Sequence, residues 1–303
     1  MPLDSFQEEI LKLIAANRTA DSHIAGGSAL HAHGIRLSGD VDIFNAPHVD
    51  VPITARNDIE ALRRGGLNAE IAREREGFVE ADVFHEEFGS TRLQWVQHSA
   101  NNFYPPVADE TFGVRLHIVD LAVNKMVAAA SRREPRDFVD LYFIDKHIMP
   151  LWTLAWAAPG KDEAFTPAGY LDRVSAQHQY RGKEIEESVD LAPGVVGTDI
   201  IRSVREALDK ARIVLPKLPQ NTAGLLLVDD ETKGPITGPD YFARGRKWTT
   251  LSTETSKPWP QGPIIDGLLI QRVIKANGLK GERAWTEPRQ PSAPEKDDDG
   301  YGF

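Results

Sequence analysis

Ile24-Ala25-Gly26-Gly27-Ser28-Ala29-Leu30 and, a little further on, Gly39-Asp40-Val41-Asp42-Ile43-Phe44 form the most informative stretch of this chain. The first block reads as a strand end, a tight glycine turn and a short helix stopped at Gly34. The second reads as a strand through Val41, Ile43 and Phe44, ended by Asn45 and Pro47. Successive side chains of a strand point to opposite faces, so Asp40 and Asp42 project from the same one. Carboxylates less than ~7 Å apart along a strand each raise the cost of ionising the other. A divalent cation between them removes that penalty, and Mg²⁺ suits one or two carboxylates completed by phosphates and water. Two such ions would activate an attacking hydroxyl and stabilise a leaving pyrophosphate. Gly26 and Gly27 let backbone approach a phosphate closely, and the helix start behind them presents free N–H groups. The Ser28 hydroxyl adds a donor, and Arg36 and Ser38 lie between the two blocks, within reach of the same anion. Alone, an Asp-x-Asp pair is commonly a solvated strand face and Gly-Gly-Ser a turn. Their order and company point to metal and triphosphate chemistry.

Outward from this block, apolar positions at Phe6, Ile10, Leu13 and Ile14 predict a helix over 4–17, with Asp4 and Ser5 as caps. Residues 57–64 read as a helix stopped at Gly65-Gly66. Strands are predicted at Leu67–Arg73, Phe78–Phe84 and Thr91–Val96, the last two flanking Gly89-Ser90 as in a hairpin. After the loop 101–106 the pattern turns helical: 117–132, then a helix opened by Pro135 and running to about 149. Further helix signals fall at Thr166-Pro167, over 199–214 and near 264–276, and Leu225–Val228 reads as a strand. The expected organisation is an α/β (α+β) domain over 1–115, a mainly helical region over 116–285, and a disordered tail over 286–303 that is rich in Pro, Lys and Asp.

With 303 residues, 41% hydrophobic and 26% charged, the composition is that of an ordinary globular protein. There is no cysteine, which excludes disulfides and Cys-ligated metals and suits a reducing cytosol. The opening Met1-Pro2-Leu3-Asp4-Ser5 carries neither a basic stretch nor an apolar run, so a cleaved signal peptide is not expected. The most apolar stretch, Leu151 to Ala158, is far too short to span a bilayer. A soluble, cytoplasmic protein is the expectation. The net charge of −10 argues against broad nucleic-acid backbone binding, though not against a local basic patch. His31, His33, His48, His85, His98, His117 and His147 make no metal-ligand spacing.

The segment from Gly26-Gly27-Ser28 through Arg36-Leu37-Ser38-Gly39-Asp40-Val41-Asp42 resembles the signature of the AbiEii/AbiGii-type nucleotidyltransferases, within the polymerase-beta-like superfamily. A second stretch agrees: Leu116 to Lys125 resembles the family's helical lysine motif. Arg136-Asp137-Phe138-Val139-Asp140 resembles its Arg-Asp-x-x-Asp motif. The resemblance covers roughly residues 20–145. It implies a small mixed twisted sheet flanked by helices, with Mg²⁺ and a nucleoside triphosphate at its edge. Gly27 and Ser28 would hold the triphosphate, Asp40 and Asp42 the metal, and Lys125 the β/γ phosphates. Arg136 and Asp137 would orient the site.

One departure stands out. Members of the superfamily usually supply a third carboxylate from a later strand, and here the matching position holds Gln94. An amide neither binds Mg²⁺ as strongly as a carboxylate nor accepts a proton. Glu80 and Asp82, on one face of the neighbouring predicted strand, are candidate substitutes. By resemblance the acceptor is RNA, such as a tRNA end, and the role that of a toxin with an antitoxin encoded nearby. Arg132, Arg133 and Arg136 are the nearest basic cluster for such an acceptor. A transferase acting on a protein or small molecule, and a nucleotide- or partner-binding module without catalysis, remain alternatives.

Overall fold

The structure is a computed structural model that describes residues 4–30, 34–99 and 101–253. The helix predicted near 264–276, the tail over 286–303, and His31 and His33 lie outside the described residues.

Helix α1 (Ser5–Ile14) starts where Asp4 accepts a hydrogen bond from the Gln7 backbone N–H. Strand β1 (Ser22–Ala25) leads through the glycine turn into α2 (Gly26–Leu30), and β2 (Asp40–Asn45) follows. Helix α3 (Val51–Arg64) begins well before the predicted residue 57. Asp50 caps it by accepting from the Ile53 N–H, and Pro52 sits in its first turn, where a missing N–H costs nothing. Strands β3 (Asn68–Arg75), β4 (Phe78–His85) and β5 (Gly89–Gln97) come next. Gly89 and Ser90 belong to β5, paired with His85 and Phe84, so the connection lies one step earlier than the sequence suggests. Two three-residue strands that the sequence does not announce, β6 (Val107–Asp109) and β7 (Gly113–Arg115), close the sheet.

These strands form one mixed, seven-stranded sheet in the order β3-β4-β5-β2-β1-β7-β6. Its centre pairs β2 antiparallel with β1 and parallel with β5. The two-residue period sorts the faces. Val41, Ile43, Val79, Ala81, Leu93 and Trp95 are fully buried, on the side covered by α1 and α3. There Asp58 of α3 receives the Trp95 indole N–H at 2.6 Å and forms a fully buried ion pair with Arg18. The other face carries Asp40, Asp42, Glu80, Asp82, Arg92 and Gln94.

Beyond the sheet the chain is mainly helical: α4 (Ile118–Ser131), α5 (Pro135–His147), α6 (Leu151–Ala157), α7 (Pro167–Gln177), α8 (Gly182–Ser188) and α9 (Gly197–Val214). The apolar stripe of α9, from Ile200 through Val204, Ala207 and Leu208 to Ala211, packs on α5, α6, α7 and α8. A hairpin of β8 (Leu226–Asp229) and β9 (Trp248–Leu251) packs its first strand on α6. Helix α4 joins the two halves, touching α2 on one side and α5, α6 and α7 on the other. At its first turn the buried Asp120 accepts the backbone N–H groups of Phe103 and Tyr104 and pairs with Lys161 at 2.5 Å. Among the described residues no helix is long and apolar enough to cross a membrane.

Candidate active site

The acids lead the site. Asp40 and Asp42 open β2 on its half-open face, as the alternation predicts. Gly26, at φ +69, turns the chain so closely past them that a Cβ there would collide with the Asp42 carboxylate. Gly27 makes room in the same way, since a Cβ on it would lie 2.8 Å from both Arg36 Nη2 and Ser38 Oγ. The two glycines therefore admit the site's own side chains at this turn.

Ser28, Ser38 and Arg36 each have a partner inside the protein. Helix α2 is five residues long, and Ser28 is fully buried, its hydroxyl donating to the Ala25 carbonyl at 3.3 Å. Ser38 donates to the Asp40 carbonyl at 3.0 Å. Arg36 turns inward: Nε lies 2.5 Å from Asp140 Oδ1, Nη2 3.0 Å from Asp140 Oδ2, and Nη1 donates to the Leu37 carbonyl.

Helices α4 and α5 bring the remaining charges. Asp137 and Asp140, three residues apart and hence on one face of α5, are fully buried. Lys125 Nζ lies 2.7 Å from Asp140 Oδ2 and 3.9 Å from Asp137 Oδ1. Arg132, which follows the last residue of α4, grips Asp137 through Nε at 2.7 Å and Nη2 at 3.0 Å. Arg136 projects from α5 to Asp40, its Nη1 3.6 Å from Oδ2. The sequence assigns a role to Asp137 and none to Asp140, although Asp140 closes the same Arg-Asp-x-x-Asp stretch. It also leaves Arg132 as a general basic residue, because only the fold brings α4 against α5.

The electrostatics follow from burial. Asp42 holds its proton up to about 6, chiefly because burial disfavours its charge and then because Asp40 repels it; Lys125, Arg136 and Arg132 pull the other way. Burial lowers the Arg36 pKa, but Asp140 outweighs that and leaves it above the ordinary value. Two oxygen donors on one face, repelling each other, fit a divalent ion that shares its shell with phosphates and water. They do not make an all-protein cage, since no group of three or more His, Cys, Asp or Glu able to hold a metal occurs among the described residues. The third-carboxylate position, Gln94, faces Asp42 across β2–β5, and Glu80 stands behind it on β4. Asp82 lies one pair along, bound by Arg92.

No family model matches the chain, and no curated protein matches it. Among solved structures, it is similar to JHP933 from Helicobacter pylori, at 16% identity over 71% of this chain and 92% of that one, with a TM-score of 0.46. It is also similar to MenT4, a nucleotidyltransferase toxin from Mycobacterium tuberculosis, at 16% identity over 72% of this chain and 84% of that one, with a TM-score of 0.49. Likenesses this distant leave the functional reading to the side chains themselves.

Proposed function

We propose that the chain transfers a nucleotidyl group from a nucleoside triphosphate to a hydroxyl acceptor. The acceptor oxygen bonds to the α-phosphorus as its proton passes to solvent, the bond from that phosphorus to the β-bridging oxygen breaks, and pyrophosphate leaves. One observation carries the reading: a same-face acid pair packed on a left-handed glycine turn, with Lys125, Arg132 and Arg136 near enough to bias the proton of Asp42. Asp40 and Asp42 would hold Mg²⁺, which when bound supplies charge neutralisation and activation of the attacking oxygen. Lys125 and Arg136 offer the positive charge for the phosphates. Asp137 and Asp140, the latter gripped by Arg36, hold Lys125 in place, Asp40 draws Arg136 in, and the helical half bounds the acceptor side.

For the acceptor we favour RNA such as a tRNA end, and for the biological role a toxin countered by an antitoxin encoded nearby. The resemblance of the Gly-Gly-Ser, Asp-x-Asp and Arg-Asp-x-x-Asp motifs supports both. A binding module that kept the site without turnover is the second reading, favoured by Gln94 alone.

The test is incorporation of α-labelled nucleotides into total RNA or protein, beside an Asp40→Ala/Asp42→Ala control. Label transferred by the native protein and absent with the control supports the transferase. Triphosphate binding without transfer supports the binding module, and no binding overturns the site.

A further inference from the structure

The sheet sets Asp42, Gln94 and Glu80 in one row: Asp42 pairs with Gln94 across β2–β5, and Gln94 with Glu80 across β4–β5. Opposed residues share a face, and neighbouring strands are about 4.8 Å apart. Gln94 Nε2 donates to Glu80 Oε2 at 2.7 Å, and Glu80 is only 7% exposed. A carboxylate offers acceptors alone, so it selects which end of the amide faces it. With the NH₂ end turned to Glu80, the amide oxygen is left outside that hydrogen bond, and the neighbour of Gln94 on its other strand is Asp42. Arg92 supports the anchor, with Nη1 3.9 Å from Glu80 Oε2 and Nε 3.2 Å from Asp82 Oδ1.

We propose that Gln94, oriented by Glu80, presents its amide oxygen as a neutral third oxygen to the divalent cation shared by Asp40 and Asp42. Glu80 is then a positioning residue. The inference rests on the proposed function of the acid pair. Amide carbonyls belong to the hard oxygen donors that Mg²⁺ and Mn²⁺ accept. Such an oxygen coordinates and takes no proton, so Gln94 supplies coordination without acting as a base. The substitution at the third-carboxylate position thereby becomes a working arrangement of two residues, where a lone glutamine would be free to turn its amide either way.

The test is a titration of the full chain with Mn²⁺ as a paramagnetic probe, in the presence of a non-hydrolysable nucleoside triphosphate. Wild-type binding that is lost in Asp42→Asn locates the ion at the acid pair. Gln94→Leu and Glu80→Ala are expected to weaken Mn²⁺ about tenfold each, the usual scale for residues that orient a metal ligand. The exchange Glu80→Gln/Gln94→Glu rebuilds the hydrogen bond with donor and acceptor swapped and is expected to bind at least as tightly as the wild type. Where Glu80→Ala does not fold, Glu80→Gln keeps the volume and is expected to weaken binding by a smaller factor. A purely structural role would move the melting temperature and leave the Mn²⁺ dissociation constant alone. An unchanged constant in Gln94→Leu overturns the inference while the acid pair stands. No Mn²⁺ binding by the wild type, or binding untouched by Asp42→Asn, overturns the acid-pair reading and this inference with it.

Discussion

Arg36 and Asp140 are joined through two hydrogen bonds, 2.5 Å at Nε and 3.0 Å at Nη2, and both side chains are buried. The contact ties the segment that follows the glycine turn to helix α5, and it shares Asp140 with Lys125. The geometry needs a planar fork, which arginine has and lysine lacks. Removing Arg36 leaves Asp140 to Lys125 alone and takes away its forked hydrogen bonds, so Arg36→Ala is expected to cost about 1.5–3 kcal/mol of stability, and Arg36→Lys to recover little of it. Urea unfolding of the three proteins measures this. A loss within about 0.5 kcal/mol would show the contact to be incidental.

Gly26→Ala meets two obstacles, a left-handed φ and the Asp42 carboxylate. The strain alone is on the order of 1–3 kcal/mol. A lowered melting temperature together with loss of triphosphate binding is expected. Gly39→Ala, where nothing lies within 4 Å of the added Cβ and φ is not left-handed, is the control expected to be silent. Equal behaviour of the two variants would contradict the packing described.

Asp42 gives a pH signature. Its folded pKa, about 6, lies above the ordinary 3.8, so the folded state binds the proton more tightly. That stability is fully present below 3.8 and is lost as pH rises through 6. Asp42→Asn removes the loss. The variant is expected to melt higher than the wild type at pH 7, with the gap closing toward pH 4. A gap that stays constant across that range would refute the assignment.

Buried histidines work in the opposite direction. Burial pulls His98 and His117 down to about 4, so their contribution is present above 6.5 and is lost as pH falls toward 4. His117→Asn keeps a side chain able to cap α4 and removes the titration. Its melting temperature is expected to fall less steeply between pH 6.5 and 4 than that of the wild type. Parallel curves would exclude His117 as a source of acid sensitivity.

Lys125→Met is expected to weaken triphosphate binding by roughly tenfold or more, the scale of one charged hydrogen bond of about 1.5–3 kcal/mol. Fluorescence titration with a labelled triphosphate reads it. An unchanged affinity would confine Lys125 to its pairing with Asp140.

Much of the sheet was legible because alternation is a short-range signal. Val41 and Ile43 against Asp40 and Asp42 announce a two-faced strand without reference to any partner. The start of α3 was missed although Asp50 and Pro52 form a recognisable opening, since the apolar spacing that draws the eye comes later. Strands β6 and β7 are held by neighbours: Ile24 pairs with Arg115, and nothing local in three residues predicts that. The same limit governs the site. Asp40 and Asp42 could be read as a pair, and Lys125 and Asp137 from the second motif. That Asp140 takes both Arg36 and Lys125, and that Glu80 holds Gln94, depends on strand register and helix packing over long separations.

The Asp120 carboxylate holds Lys161 and the backbone of Phe103 and Tyr104 at once, so it buckles the loop between β5 and β6 to the helical half. Lys161 is 5% exposed at its side chain and has no solvent to fall back on. If either half came apart alone, a charge would be stranded in the other. The chain is therefore built to melt as one cooperative unit, and a cut between β7 and α4 is expected to leave two pieces that refold only in each other's company.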